Sequence, residues 1–234
     1  MKIWQSLVEA LLPRRCALCE CASRGEFFCG MCKQGICCDF CGVQKKIRAD
    51  LMYIDTVQKA VQQAKFGPDQ TCAQALVSYW LGLRRDQLGM GDFFPQVQAV
   101  CFVPLHWRRR VKRGFDFPSL IARAAANMLH IPLLDALICK RLDMPLSLST
   151  SREQRVLATQ GRYGLRLLGN CVTGKEVLLV DDVVTTGSTL CAAATVLEEA
   201  GAVVHRFALA RVPRQQEIVF RKPGVQMFQK HLQS

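Results

Sequence analysis

The stretch spanning residues 177–190 constrains the fold of this 234-residue chain more than any other part. It begins with four apolar residues, 177–180, which predict a short strand buried on both faces of a parallel sheet. Two carboxylates, Asp181 and Asp182, follow at the expected end of that strand. A short polar turn and a helical pattern come next, so the order is strand, acids, loop and helix.

The polar turn is typical of a phosphate-binding loop. Backbone N–H groups at a helix N-terminus point towards a bound anion, and the helix dipole favours negative charge there. Four hydroxyls and one glycine supply further donors and a close backbone approach: Thr185, Thr186, Gly187, Ser188 and Thr189. The sequence therefore predicts a phosphate site, although an ordinary helix start beside two solvated acids is the alternative.

The acids Asp181 and Asp182 need a partner, because they would repel a bare phosphate. The vicinal hydroxyls of a ribose could donate to them while its 5-phosphate occupies the loop. Alternatively, the acids face a Mg²⁺ ion that the other phosphates of the ligand hold. In both cases we expect a ribose 5-phosphate, with or without a pyrophosphate at carbon 1.

Eight of the thirteen cysteines lie between Cys16 and Cys41. They form three C-x₂-C pairs, and two such pairs complete a tetrahedral Zn²⁺ site. Nine residues separate the first two pairs and five separate the last two, so the first two fit a compact zinc ribbon better. We expect Zn²⁺ on Cys16, Cys19, Cys29 and Cys32, with Cys38 and Cys41 as the less favoured pair. The odd cysteine count indicates a reduced, cytoplasmic protein rather than a secreted disulfide scaffold.

The net charge of +12 suggests a polyanionic partner. Five cations occur within residues 108–113, directly after a predicted strand at 97–103. Because ligands bind at the carboxyl edge of open α/β sheets, this loop is expected near Asp181. Three arginines are predicted to contact pyrophosphate or DNA: Arg108, Arg109 and Arg113. A solvated basic loop is the alternative.

Periodicity predicts an α/β fold in which helices flank a parallel sheet. Helices are expected at 56–64, 71–88, from Asp116 onward and at 188–200, and a further strand at 202–210. Residues 1–12 suggest a short amphipathic helix and 43–52 a linker. Residues 131–170 suggest a long loop with flanking strands that covers the ligand, and an irregular surface segment is the alternative. No run reaches the length of a transmembrane segment. The expected division is a zinc-ribbon module at 1–45, a main domain at 46–212 and a basic tail at 213–234.

The stretch at 177–190 closely resembles the phosphoribosyl pyrophosphate (PRPP) motif of type I phosphoribosyltransferases. That resemblance implies that Asp181 and Asp182 hold the ribose hydroxyls and that residues 185–189 hold the 5-phosphate. Together with the cysteine pairs, three further segments narrow the resemblance to the ComF family of bacteria: 65–67, 102–106 and 113–115. Members often read Arg-Gly-Phe-Asn-Gln, where this chain has Asp116 and Phe117.

Members of the ComF family are phosphoribosyltransferase-like proteins associated with natural competence, the uptake of external DNA. The resemblance implies a protein that binds PRPP with Mg²⁺, and single-stranded DNA, next to the uptake machinery at the inner membrane face. Two other functions stay open on the sequence. One is a nucleobase-salvage phosphoribosyltransferase, in which Asp181 and Asp182 position the sugar for pentosyl transfer. The other is a regulator that senses nucleotides with a catalytically inactive site.

Overall fold

The computed structural model describes residues 15–23, 26–44, 46–67, 70–87, 96–140, 161–166 and 169–213. The predicted helix at 1–12, the centre of the predicted covering loop and all but the first residue of the predicted tail lie outside these ranges. The helices are α1 Gly30–Gln34, α2 Asp55–Phe66, α3 Thr71–Gln87, α4 Trp107–Arg113, α5 Phe117–Leu129 and α6 Ser188–Glu199, with a short 3₁₀ turn at Gly169–Val172. The strands are β1 Cys38–Gln44, β2 Ile47–Met52, β3 Ala99–Phe102, β4 Leu133–Leu134, β5 Leu137–Cys139, β6 Tyr163–Leu165, β7 Glu176–Val184 and β8 Val203–Arg211.

Six strands form one sheet in the order β1-β2-β8-β7-β3-β4. Every neighbouring pair is parallel except β1 and β2, which are antiparallel. Strands β5 and β6 form a separate antiparallel pair. The parallel sheet flanked by helices confirms the predicted fold class. Its central strand, β7, is the one that carries the two acids.

Side chains on the two faces of the sheet form two apolar clusters. Helices α2, α3 and α5 cover one face, where the rings of Trp80 and Phe207 lie 5.7 Å apart. Helix α6 and the β5–β6 pair cover the other face, with Leu179 and Leu190 fully buried. Strands buried on both faces read as continuous apolar runs, which explains the sequence pattern of β7.

The segment 43–52 was expected to be a linker, and this prediction is wrong. It contains β2, a strand in which Ile47, Ala49 and Leu51 are buried. Its charged residue Asp50 is also buried, because it accepts hydrogen bonds from Trp80 Nε1 at 2.6 Å and from the guanidinium of Arg84. A buried charge is tolerated only when it is paired, and this pairing lets a charged strand lie in the core.

The predicted boundary after residue 45 falls between β1 and β2, two strands that are hydrogen-bonded to each other. The cysteine-rich segment also packs against the main core, since Cys16, Phe28 and Ile36 belong to the same apolar cluster as α2 and α3. In the described part of the chain, none of the helices is long and apolar enough to cross a membrane.

Candidate functional site

Asp181 and Asp182 lie within β7 rather than after it. The strand continues to Val184 because its residues keep pairing with β8, Val183 with Ala210 among them. Both acids are buried, each 8% exposed. The strand therefore delivers two neighbouring carboxylates to a largely dry position at its carboxyl end.

Burial and mutual repulsion make the two acids hard to ionise together. Burial first, and then the negative charge of Asp182, raise the pKa of Asp181 to about 8. The Asp181 carboxylate accepts a hydrogen bond from the backbone N–H of Asp182 at 2.8 Å, which opposes this shift. The pair therefore holds a proton near neutral pH, as two close carboxylates in a dry site do.

A third charged group, Lys65, enters this site from the last turn of α2. Its Nζ atom lies 2.8 Å from Oδ1 of Asp182. Burial alone would lower the pKa of Lys65, but the carboxylate of Asp182 outweighs that effect and raises it. Lys65 is therefore a cation at neutral pH, and it compensates one of the two acids.

Sequence reasoning assigned no role to Lys65, because its partner is 117 positions away in the chain. The only signal was that residues 65–67 belonged to the segments that resembled the ComF family. The structure shows what that segment does: it brings a cation to the acids of β7.

The loop after β7 turns directly into α6. Gly187 precedes the helix with a φ angle of +80°, in the left-handed region that favours glycine. A Cβ atom at this position would lie 2.6 Å from Cδ1 of Ile47 in β2, so the loop also packs tightly on the sheet. The hydroxyl oxygens of Thr186 and Ser188 are 3.0 Å apart. The loop thus presents amides and hydroxyls at the start of a twelve-residue helix.

The predicted basic loop is in fact a short helix, α4. It forms because Nδ1 of His106 accepts a hydrogen bond from the backbone N–H of Arg108, and because Gly114 ends the helix with a φ angle of +74°. Strand β3, which leads to α4, is hydrogen-bonded to β7 with Phe102 opposite Val180. The basic segment therefore starts at the same sheet edge as the acids.

The three predicted arginines of α4 lie at different depths. Arg113 is half-buried and close enough to Asp182 and Arg109 to interact with their charges. Arg109 is also half-buried, whereas Arg108 is exposed and stacks on the ring of Trp107, 5.3 Å from its centroid. Arg113 is therefore the arginine that the structure brings to the acids.

Asp116 adds a third buried carboxyl group near this edge. One oxygen, Oδ2, accepts a hydrogen bond from the backbone N–H of Leu105 at 2.8 Å, whereas Oδ1 has no hydrogen-bond partner among the described residues. Burial is the main cause that raises the pKa of Asp116 to about 6. Asp116 precedes α5 as expected, but its side chain does not cap the helix.

Tyr163 is the one aromatic residue in the sequence of the predicted covering loop, and so the one candidate there for stacking on a base. It lies in β6 and is 5% exposed, packed in the apolar cluster under α6. Burial is the main cause that raises its pKa above the ordinary value. The ring of Tyr163 is therefore part of the core, and residues 141–160 of the predicted loop lie outside the described ranges.

Four cysteines of the N-terminal segment come together in space. The sulfur atoms of Cys16, Cys19, Cys29 and Cys32 all lie within 4.8 Å of one another. The backbone N–H of Cys32 donates to the sulfur of Cys29 at 3.5 Å, and this bond is the main cause that lowers the pKa of Cys29 to about 6. Cys29 therefore favours the thiolate, the form that binds metals, whereas burial is the main cause that raises the pKa of the Cys32 thiol.

The donor set fits a tetrahedral metal. Sulfurs that ligate zinc at about 2.3 Å lie about 3.8 Å apart, and the sulfurs of Cys19 and Cys29 are 3.6 Å apart. A fifth thiol, Cys21, is 3.2 Å from Cys19, and its hydrogen bonds with Cys19 and Cys29 raise its pKa to about 12. Cys38 lies in β1 near Asp50, and the side chain of Cys41 is outside the described residues.

Comparison with known proteins finds one matching domain family and two relatives. Residues 119–229 match the phosphoribosyl transferase domain family, and this range reaches into the segment that was predicted as a tail. Competence protein F of Haemophilus influenzae is 28% identical over 153 residues, which are 64% of this chain and 65% of that protein. The match thus spans slightly less than two thirds of that relative. Adenine phosphoribosyltransferase of Corynebacterium kroppenstedtii is 53% identical over 38 residues, 16% of this chain and 21% of that protein.

Similar solved structures are more distant. Glutamine PRPP amidotransferase from B. subtilis, complexed with ADP and GMP, has a TM-score of 0.41 and 21% identity over 63% of this chain and 30% of that chain. Adenine phosphoribosyltransferase from Leishmania donovani has a TM-score of 0.38 and 16% identity over 78% of this chain and 67% of that chain. The domain match at residues 119–229 and the likeness to the relative in Haemophilus together support a ComF-like protein that carries a phosphoribosyltransferase domain.

Proposed function

We propose that this protein binds PRPP, or a related ribose 5-phosphate, at the carboxyl end of β7. One observation carries the proposal: two buried acids stand directly before a loop of amides and hydroxyls at the start of a helix. The loop residues 185–189 bind the 5-phosphate, because backbone N–H groups at a helix N-terminus point towards a bound anion and the helix dipole favours its charge. Asp181 and Asp182 accept hydrogen bonds from the vicinal ribose hydroxyls.

Lys65 and Arg113 complete this proposed site. Lys65 neutralises Asp182, which reduces the repulsion between the acids and the incoming phosphates. Arg113, which interacts with the charge of Asp182, faces the pyrophosphate at carbon 1. The acid pair already holds a proton, and Asp182 contacts Lys65, so the pair is a poor divalent site by itself. The pyrophosphate would supply most of the ligands of a Mg²⁺ ion.

Thermal unfolding with ligands tests the proposed site. PRPP with Mg²⁺ should raise the melting temperature of the wild-type protein, as a ligand of the folded state does. Ribose 5-phosphate should raise it less, and inorganic phosphate least, since each lacks contacts that PRPP makes. The Asp181→Asn/Asp182→Asn variant should lose most of the increase. An equal increase in the variant would place the ligand elsewhere.

Pentosyl transfer to a nucleobase is the second function that the site can support. In that reaction the acids would orient the ribose while cations stabilise the departing pyrophosphate. The buried ring of Tyr163 offers no stacking surface for an acceptor base. Incubation of the protein with PRPP, Mg²⁺ and each common base, with a measurement of pyrophosphate release, decides between transfer and binding alone. Binding without release from any base would support a nucleotide-sensing regulator instead.

We further propose that α4 binds single-stranded DNA and that the protein acts in DNA uptake, on the cytoplasmic side of the inner membrane. The support is the net charge of +12 and the five cations of α4, a helix that starts at the same sheet edge as the acid pair. Such binding should weaken steeply with salt, because phosphate contacts release counterions. Retention of labelled single-stranded DNA that does not change with salt would contradict this part of the proposal.

The four clustered cysteines are proposed to hold a structural Zn²⁺ ion. Two C-x₂-C pairs with their sulfurs within 4.8 Å of one another support this assignment. The segment packs on the main core through Cys16 and Phe28, so the metal would stabilise the junction with α2 and α3. Elemental analysis should find about one zinc per chain, as one four-cysteine site holds one ion.

A further inference from the structure

We propose that Phe66 and Trp107 form an aromatic surface on which the bases of a single-stranded nucleic acid stack. We call it the Phe66–Trp107 surface, and it includes the cations of α4. This inference rests on the proposed binding of single-stranded DNA by the cations of α4. It assigns base contacts to two rings and leaves the phosphate contacts to the arginines.

The two rings are unusually exposed for large apolar side chains. Phe66 is 77% exposed and Trp107 is 61% exposed. Val111, one helical turn after Trp107 on the same side of α4, is 76% exposed. Apolar exposure concentrated on a short basic helix and its neighbour costs free energy in water, so it indicates a binding surface.

Each ring already carries an arginine. The guanidinium carbon of Arg113 lies 5.2 Å from the ring centroid of Phe66, and that of Arg108 lies 5.3 Å from the centroid of Trp107. Arginine planes stack on aromatic faces and also bind phosphate with two parallel hydrogen bonds. A ring with an arginine beside it therefore offers a nucleotide both a stacking face and a phosphate contact.

The position of the surface links it to the proposed ribose site. Phe66 directly follows Lys65, whose ammonium contacts Asp182, and Arg113 interacts with the charge of the same acid. Helix α4 contains no acidic residue. A single-stranded nucleic acid that lies along α4 would thus end beside the acids of β7.

A single-stranded nucleic acid suits this surface better than a duplex. The faces of paired bases are covered by their neighbours in the stack, whereas unpaired bases leave both faces open to an aromatic ring. Stacking is tolerant of sequence, because every base has a π-face. The surface should therefore bind single strands of any composition and bind the matching duplex much less well.

Anisotropy titrations of a fluorescein-labelled oligothymidylate over a range of salt concentrations test the inference. Phe66→Ala and Trp107→Ala should each weaken binding by roughly ten-fold, the order of magnitude of one lost base stack. Their salt slopes should stay equal to that of the wild type, because no phosphate contact is removed. Arg108→Gln should instead lower the slope by about 0.7, the value for one phosphate contact on a single strand.

Two matched controls test whether a loss of affinity comes from the aromatic rings and not from a change in the overall structure. Trp107→Phe keeps an aromatic ring and should retain most of the affinity. Val203→Ala removes another exposed apolar side chain, 57% exposed at the opposite end of the sheet, and should bind like the wild type. Wild-type affinity in both alanine variants, or equal binding of a duplex, would overturn the inference.

A PRPP titration of the same proteins keeps this inference separate from the proposed ribose site. If the wild type binds PRPP but not oligothymidylate, the stacking surface is overturned while the ribose site stands. If the wild type binds oligothymidylate through the two rings but does not bind PRPP, the surface is supported and the ribose site fails.

Discussion

Lys65 Nζ and Asp182 Oδ1 lie 2.8 Å apart, although α2 and β7 are far apart in the chain. The contact places a cation between two elements that meet at the carboxyl edge of the sheet. Both side chains are largely buried, with 23% and 11% of their surfaces exposed. A pair of this kind is costly to break, because the remaining charge stays in a dry site.

Removal of the lysine should therefore destabilise the protein. We expect Lys65→Ala to lower the free energy of unfolding by about 1–3 kcal/mol, since the charged hydrogen bond to Asp182 is lost. Affinity for PRPP should fall as well, because the acids would then repel the phosphates more strongly. Lys59→Ala, an exposed change on the same helix, is the control. Equal urea unfolding curves for the two variants would show that the ion pair contributes nothing.

The raised pKa of Asp181 predicts a pH dependence of stability. Its pKa is about 8 in the folded protein and about 3.9 in an unfolded chain. Between these values the folded state binds a proton that the unfolded state has released. Stability from this group is thus complete below about pH 4 and is lost as pH rises towards about 8, by up to about 1.4 kcal/mol per pH unit.

Asp181→Asn removes this titration. Its free energy of unfolding should change less between about pH 5 and pH 8 than that of the wild type, and it should exceed the wild-type value most clearly at the upper end of that range. Urea titrations at several pH values measure both curves. Parallel curves across this range would contradict the raised pKa of Asp181.

Gly187 is expected to be sensitive to any side chain. Gly187→Ala should destabilise the protein and weaken PRPP binding, because the φ angle is +80° and the new Cβ would meet Ile47. Ile47→Val removes the Cδ1 atom that the new Cβ would contact. The double variant should therefore recover part of the lost stability, but the cost of the left-handed backbone at position 187 should remain. Gly82→Ala, in the middle of α3 with open space around it, should instead stabilise by up to about 1 kcal/mol. A Gly187→Ala protein that melts like the wild type would show that the loop is not held in this conformation.

The buried ion pair between Asp50 of β2 and Arg84 of α3 should contribute strongly to stability. Arg84→Met should cost about 3–5 kcal/mol, because it removes the guanidinium and leaves the carboxylate of Asp50 buried beside Trp80. Arg85→Met, on the next, exposed position of α3, should change stability little. The double variant Asp50→Asn/Arg84→Met should be more stable than Arg84→Met alone, and calorimetric melting compares all three. Equal melting temperatures for the double variant and for Arg84→Met would contradict a charged Asp50.

Zinc removal should act on the N-terminal segment and its packing. A strong chelator, or Cys29→Ser, should lower the melting temperature and release the metal. Cys21→Ser should keep it, because Cys21 stands outside the group of four sulfurs that lie within 4.8 Å. Loss of zinc from Cys21→Ser with retention in Cys29→Ser would reverse the proposed ligand assignment.

Several elements followed from local pattern alone. Helices α2, α3, α5 and α6 and strands β3 and β8 lie close to where apolar periodicity predicted them. Each has an apolar stripe or a continuous apolar run, and most end at glycine or at a turn. The grouping of Cys16 with Cys19, Cys29 and Cys32 likewise agrees with the spacing argument, as the sulfurs converge.

Other features depend on partners distant in the chain, which local pattern does not reveal. Strand β2 contains Asp50, whose charge predicts a solvated linker residue. In the structure its charge is paired with Arg84, 34 positions later in the chain. Helix α4 was predicted as a loop because its run of cations shows no apolar periodicity. His106 caps its start and Gly114 ends it. Lys65 carries no local mark of function, and its role emerges only when α2 packs against the sheet edge.

The most direct test of the ribose site is isothermal titration calorimetry of PRPP with Mg²⁺ into the wild-type protein and into Asp181→Asn/Asp182→Asn. We expect saturable heat with one site per chain in the wild type, and its loss in a variant that remains folded by circular dichroism. Equal heats in both proteins would contradict the assignment of β7 and its loop as the PRPP site.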